Sequence, residues 1–396
     1  MRRTAKAQHG VRFGIAGGLL LLVTAGTWSQ LLPDPFPSGG AAVEATSAAG
    51  SPTTVPVARA AAWDATREPV EGIWISRAEL APLARSGAAW ERVKAAADGD
   101  LGVATVADFN ANHDVRTLAV ALVYGATGDE TYRSKAAEAI MAVIGTEAAG
   151  EAVMLGRNVV SYVIAADLID LASFDPAREA AFRAWIDQAR TRPFPDRTMI
   201  ENDELRTNNH GRVAGAARAA IAVYLDDQAE LDRTARVFKG FLGDQQAHVG
   251  FEYKNGVTWQ SDPDEPSGIV PVDGTKDGHL IDGALPEEMR RGCDFQWPPC
   301  PTGYPWEGLG GVVVEAEILS RAGYDAWEWE DRAILRSVTF LDRLERQHGQ
   351  WWAAGDDTWQ PWLLNEVYDT TFPTLDANIG KNMGWTDWMY QQREGG

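Results

Sequence analysis

The chain has 396 residues, two cysteines, six histidines and a formal net charge of −20. That excess of carboxylates excludes nucleic acid as the expected partner, because holding a phosphate backbone needs a basic footprint. Two cysteines are too few for a thiolate zinc site, and neither G-x-S-x-G nor H-E-x-x-H occurs, so neither a nucleophile elbow nor a zinc protease is expected.

Residues 1–12, MRRTAKAQHGVR, are basic, and Phe13 to Ala25 form an apolar run. That run is shorter than the roughly 20 residues a membrane span needs, and the pair reads as the two regions of an export signal. Residues 1–28 are therefore expected to be a signal peptide, or an uncleaved membrane anchor. From 29 to 62 the chain is rich in Pro, Ser, Thr, Ala and Gly and reads as a flexible linker. The folded domain is expected over 63–396, in a monomer that is secreted or held at the cell envelope.

From Ser76 onward apolar residues recur near a period of 3.6, so the domain reads as mainly α-helical. Helical hairpins follow in order. His113 to Tyr124 is followed by a helix to about Ile144, and Asn158 to Leu171 by one to about Ala189. His210 to Tyr224 is followed by one to about Gln246, and Trp306 to Arg321 by one to about Gln347. The first helix of each pair is apolar nearly all round (VSYVIAADLI, VAGAARAAIAV, GGVVVEAEIL), whereas the second is amphipathic. An inner ring of buried helices inside an outer ring is the expected architecture: an α/α toroid, or incomplete barrel, built of weak repeats. In such a ring the inner helices share one rim at their N-termini. That rim collects Asn112 and His113, Arg157 and Asn158, Asn208 to His210, and Tyr304 with Trp306 and Glu307. Free helix N–H groups there favour an anion. Asn112, Asn158 and Asn208 are also ordinary helix caps; His210 is not a preferred one.

Between Val249 and Thr302 the helical pattern stops. FEYKNGVTWQ is expected to form a short strand pair around Asn-Gly. The long loop that follows carries Asp262, Asp264, Asp273, Asp277 and Asp282 without the spacing of an EF-hand, so a solvated acidic loop is expected rather than a calcium site. Cys293 and Cys300, in CDFQWPPC, are expected to pair as a disulfide in an oxidising compartment. Eleven of the 16 tryptophans fall at or after Trp259. The pairs Trp351 and Trp352, Trp359 and Trp362, and Trp385 and Trp388 are expected either to stack on sugar faces or to pack the core.

Amide donors, an imidazole, a phenol and guanidinium groups on one rim suit β-elimination from a uronic acid. Donors neutralise the carboxylate, a base takes the adjacent proton, and the glycosidic oxygen leaves with a proton from an acid. No metal or cofactor is required. TNNHGRVAGAARAAIAVYLDD resembles the Asn-Asn-His-Gly helix start of the alginate lyase fold family, as in polysaccharide lyase family 5 and the related family 38. GYPWEGLGGVVVEAEILSRAGYD resembles that family's tyrosine-bearing segment. The resemblance spans about residues 105–345 and implies an α/α toroid acting on an anionic polysaccharide such as alginate or a glucuronan. It implies that Asn209 neutralises the uronate, that His210 acts as base or co-neutraliser, and that Tyr304 protonates the leaving oxygen and serves as base in a syn elimination. In family 5 an arginine lies a few residues before the tyrosine, where this chain has Phe295, Gln296 and Trp297. Arg290, Arg291, Arg157 and Arg116 are the candidates for its role, and His113 is a further base or substrate contact. Two other readings stand beside the lyase. One is a glycoside hydrolase using two of Glu252, Asp262, Asp294 and Glu307; the other is a noncatalytic carbohydrate-binding protein.

Overall fold

The computed structural model describes residues 63–195, 197–253, 258–376 and 383–391. The expected export signal and linker, and the Asn255–Gly256 turn, lie outside them. The described residues are mainly helical. In chain order the helices are α1 (Arg77–Leu80), α2 (Ala88–Asp98), α3 (His113–Thr127), α4 (Glu130–Val143), α5 (Ala152–Leu168), α6 (Leu171–Phe174), α7 (Pro176–Thr191) and α8 (Met199–Leu205). They continue with α9 (Asn209–Tyr224), α10 (Gln228–Leu242), α11 (Pro286–Met289), α12 (Tyr304–Arg321), α13 (Trp329–His348), α14 (Gln360–Tyr368) and α15 (Thr386–Met389). Side-chain caps set many of their starts. Ser76 with Glu79 and Thr198 with Glu201 are reciprocal capping boxes, while Asp129, Asp175 and Asp227 each accept from a first-turn N–H.

Burial separates the helices as the apolar patterning requires. Helices α3, α5, α9 and α12 are covered nearly all round, while α4, α7, α10 and α13 keep exposed charged faces. Packing runs from α2 to α3, α5, α9 and α12 and returns through α14 and α15 to α2, a circuit that fits the expected toroid. Two glycines let the buried helices approach one another closely. A Cβ on Gly156 would lie 3.2 Å from the Val213 carbonyl oxygen, and one on Gly311 would lie 2.4 Å from the Arg212 carbonyl carbon. The N-terminal halves of α5, α9 and α12 therefore touch backbone to backbone, which brings their starts to one side. The circuit is tied by polar contacts from the chain ends: the Trp385 and Trp388 indoles donate to Val115 O and Ala84 O, and Arg321 donates to Gly72 O and Glu79.

Two expectations are corrected, and one open alternative is decided. Helix α5 begins at Ala152, not near Asn158, because AVML continues the apolar run; Arg157 and Asn158 therefore sit in its second turn rather than at its end. No strand occurs in 249–253 or 258–260. The hairpin is instead β1 (Thr275–Lys276) against β2 (His279–Leu280), turning at Asp277 and Gly278, whose φ values of 47° and 82° suit a two-residue Asp-Gly turn. Trp351, Trp359, Trp385 and Trp388 are each at most 2% exposed, so they are core rather than sugar platforms. They fill the seam where the C-terminal helices meet α2 and the segment before α1, in ring pairs such as Trp74 with Trp359 and Trp90 with Trp388. Cys293 and Cys300 form a disulfide. Among the described residues no helix is long and apolar enough to cross a membrane, and no group of three His, Cys, Asp or Glu side chains is placed to hold a metal ion.

Candidate active site

The start of α9 opens onto a cleft of about 640 Å³ lined by Arg197, Arg206, Thr207, Asn208, His210, Glu252, Tyr253, Glu287 and Arg291. The two asparagines have distinct jobs. Asn208 is the N-cap, its Oδ1 accepting from the Gly211 N–H, and Asn209 Oδ1 accepts the His210 N–H at 3.0 Å. With both oxygens turned onto the helix, the NH₂ ends are the groups offered away from it. Asn208 lines the cleft; Asn209 starts the helix beside it, and its backbone N–H donates to buried Glu288.

His210 is held by Arg206, four residues earlier, whose guanidinium lies 2.9 Å from Nδ1. A guanidinium can only donate, so Nδ1 accepts and the ring proton sits on Nε2. The corner carrying this pair is clamped from below by a buried ionic cluster. Arg212 donates to Asp203 Oδ1 and O at 3.1 Å and to Arg206 O, and Arg218 NH1 reaches Asp203 Oδ2 at 2.7 Å. All three side chains are fully buried, with Glu315 3.7 Å from Arg212. Burial, and then the charge of Asp203, push the Glu315 carboxyl well above the usual range.

Arg291 and Tyr304 are thirteen residues apart, with the Cys293–Cys300 loop between them. The Arg291 guanidinium, on the cleft wall, lies 3.7 Å from the ring centre of Tyr304, which is not itself one of the lining residues. The other candidate arginines are engaged elsewhere. Arg290 pairs with Glu287 at 2.7 Å, Arg157 with Glu307 at 3.3 Å, and Arg116 donates to Asp100 O.

The rest of the expected rim separates from the cleft. His113 is buried with Nδ1 2.8 Å from the Tyr162 hydroxyl, and burial, then Arg116, lower its pKa. Asn112 precedes α3 without a side-chain cap bond, and the Asn158 amide donates to Asp108 O. Trp306 is 2% exposed and donates its indole N–H to Trp351 O, so it belongs to the core. Glu307 faces buried Asp357, whose carboxyl is pushed well up by burial and then by Glu307 itself.

Sequence reasoning missed Arg206, Thr207, Tyr253, Arg197, Glu287 and Glu288. The i,i+4 spacing of Arg206 and His210 in RTNNH was a usable signal. Tyr253 has none, because it comes from the insertion and is placed by the Glu252 N–H bond to Leu205 O and by Phe251, 6.3 Å away. Burial pushes the Tyr253 phenol up to about 12, so it stays a proton-bearing donor.

The family model described as alginate lyase matches residues 47–251, just over half of the chain. The chain belongs to the alginate lyase family. It is accordingly a polysaccharide lyase. No curated protein matches it. Among solved structures it is similar to an alginate lyase from Bacteroides ovatus, at 16% identity and a TM-score of 0.43, over 72% of this chain and 70% of that one.

Proposed function

We propose that this lyase cleaves a uronate polysaccharide, alginate or a glucuronan, by β-elimination in the cleft at the start of α9. The observation that carries the reading is Arg291, which lies 3.7 Å from the Tyr304 ring centre and lines the same cleft as Asn208 and His210. The uronate carboxylate is received by the asparagine NH₂ groups and the Nε2–H of His210. Neutralising it acidifies the proton on the adjoining ring carbon. The tautomer of His210 favours this donor role over that of base. Tyr304 is the proton-transfer group. As the phenolate it takes the α-proton, the C–H electron pair becomes the new ring double bond, the C–O pair leaves with the glycosidic oxygen, and the phenol so formed returns that proton to the leaving oxygen from the same face, regenerating the phenolate. Arg291 stabilises the negative charge of the phenolate before and after the transfer. Tyr253 is a hydrogen-bond donor to the sugar.

Two of the four carboxylates named for a hydrolase are already paired, Glu252 with Arg197 at 2.7 Å and Glu307 with Arg157 at 3.3 Å. Export is supported by the N-terminal signal pattern and the disulfide. The test is incubation with alginate, glucuronan and other polyuronates while following the ultraviolet absorbance of an unsaturated uronyl end. Signal on at least one polymer is expected, lost in Tyr304→Phe. New reducing ends without the chromophore would replace the lyase reading with hydrolysis.

A further inference from the structure

Glu288 lies directly behind the cleft and has no part in the scheme above. It sits on α11 with no solvent exposure. Its Oε1 accepts the backbone N–H of Asn209, the first residue of α9, and its Oε2 has no hydrogen-bond partner. A glycine of α12 makes room for it: a Cβ on Gly308, one turn after Tyr304, would lie 3.0 Å from Glu288 Cγ. One carboxyl thus touches both helix starts that carry the proposed chemistry, and it precedes Arg291 by three residues.

We propose that Glu288 is a positioning residue that must stay protonated for the uronate to bind, its neutral carboxyl holding the start of α9 without placing a second negative charge where the substrate's carboxylate belongs. This rests on the lyase reading of the cleft. The N-terminus of a sixteen-residue helix attracts one anion, and Oε2 is buried against it without a partner. Ionised, Glu288 sets a second negative charge behind the groups that receive the uronate and draws on Arg291, which serves Tyr304. Neutral, it does neither while its Oε1 still holds the Asn209 N–H. The charged groups that act on it are Arg291, Glu287 and Arg290, from its own helix and the turn after it, and the α9 start it touches through the Asn209 N–H carries His210 in the next position. Burial raises the Glu288 carboxyl to about 8 from the ordinary 4.5, against the lowering effects of the Asn209 N–H, Arg291 and Arg290.

A stability effect follows that does not depend on catalysis. Between 4.5 and about 8 the folded chain holds a proton on Glu288 that the unfolded chain has lost. Stability from this group is therefore greatest at or below 4.5 and falls as pH rises to about 8.

The experiment compares wild type with Glu288→Gln, which keeps an acceptor for Asn209 but cannot ionise. Both kcat and KM on a polyuronate and the melting temperature without substrate are measured from about pH 5 to about pH 10. Wild-type KM is expected to climb above about pH 8, approaching tenfold per pH unit, with kcat little changed. In Glu288→Gln, KM stays flat over that range, and its melting temperature gains on wild type as pH rises. A KM rise of the same midpoint in the variant, or a melting difference that does not change with pH, overturns the proposal. If Glu288→Gln does not fold, Glu288→Asp is used, and an unmoved KM midpoint overturns the proposal. If no polyuronate is cleaved, the lyase assignment of the cleft falls, while the melting curves still decide whether Glu288 is neutral in the folded chain.

Discussion

A guanidinium 3.7 Å from the centre of a phenol ring, as Arg291 lies on Tyr304, is a contact in which charge and shape both matter. The planar fork spreads its charge over the ring, while an ammonium would concentrate it and draw water to the same place. Arg291→Lys is therefore not a conservative change. It is expected to lower kcat by about 10-fold, and Arg291→Ala by about 10²- to 10³-fold, the range for removing one preorganised stabiliser of developing charge. Steady-state kinetics on a cleaved polyuronate check this; a kcat for Arg291→Ala within twofold of wild type would reassign the role. The paired asparagines are explained at the same scale. One amide caps the helix, but the chain offers two, and the hydrogen bonds of their oxygens to the helix leave two NH₂ groups as donors. The capping reading and the functional reading of this motif are therefore both satisfied, by opposite ends of the same amides.

At the scale of elements, the α8–α9 corner depends on charges that water never reaches. Arg212 bonds Asp203 and Arg206 O, and its guanidinium lies 4.3 Å from the Phe241 ring. Removing it leaves buried Asp203 with Arg218 as its one remaining cation of the cluster. Arg212→Met is expected to cost about 3–5 kcal/mol, the usual penalty for breaking a buried pair from one side. Chemical denaturation measures this, and a loss below about 1 kcal/mol would mean that the cluster relaxes or hydrates. The disulfide loop is the second such element. Cys293→Ser with Cys300→Ser removes a short covalent loop, for which chain entropy predicts a loss of about 2–3 kcal/mol. The same change frees Arg291 from Tyr304, so kcat is expected to fall by more than the loss of folded protein explains. Unaltered kcat in the folded double variant would show that the loop holds its shape without the bond.

For the whole molecule, the net charge of −20 opposes a polyanionic substrate, while the cleft itself presents Arg197, Arg206 and Arg291. The long-range field acts on encounter and is screened by salt; the short contacts within the cleft are screened much less. On a polyuronate, kcat/KM is expected to rise as ionic strength increases from about 10 mM to about 150 mM, where the Debye length falls from about 30 Å to about 8 Å. A steady fall over that range would mean that the arginines dominate encounter as well. Much of the architecture is local and was legible in the chain: the helical hairpins, the Asn208 cap, the buried and amphipathic members of each pair, and a disulfide between cysteines seven residues apart. Periodicity and capping act within a few residues, so they are written in adjacent letters. By itself the sequence determined a mainly α-helical chain with Asn208, Asn209 and His210 at the start of a buried helix. Only the tertiary structure decided that Arg291 rather than Arg290, Arg157 or Arg116 meets Tyr304, that Tyr253 and Glu288 border the same place, and that most of the paired tryptophans are core. Those outcomes depend on how a long insertion folds back and on which charges lose their water, and both are set by contacts between residues far apart in the chain.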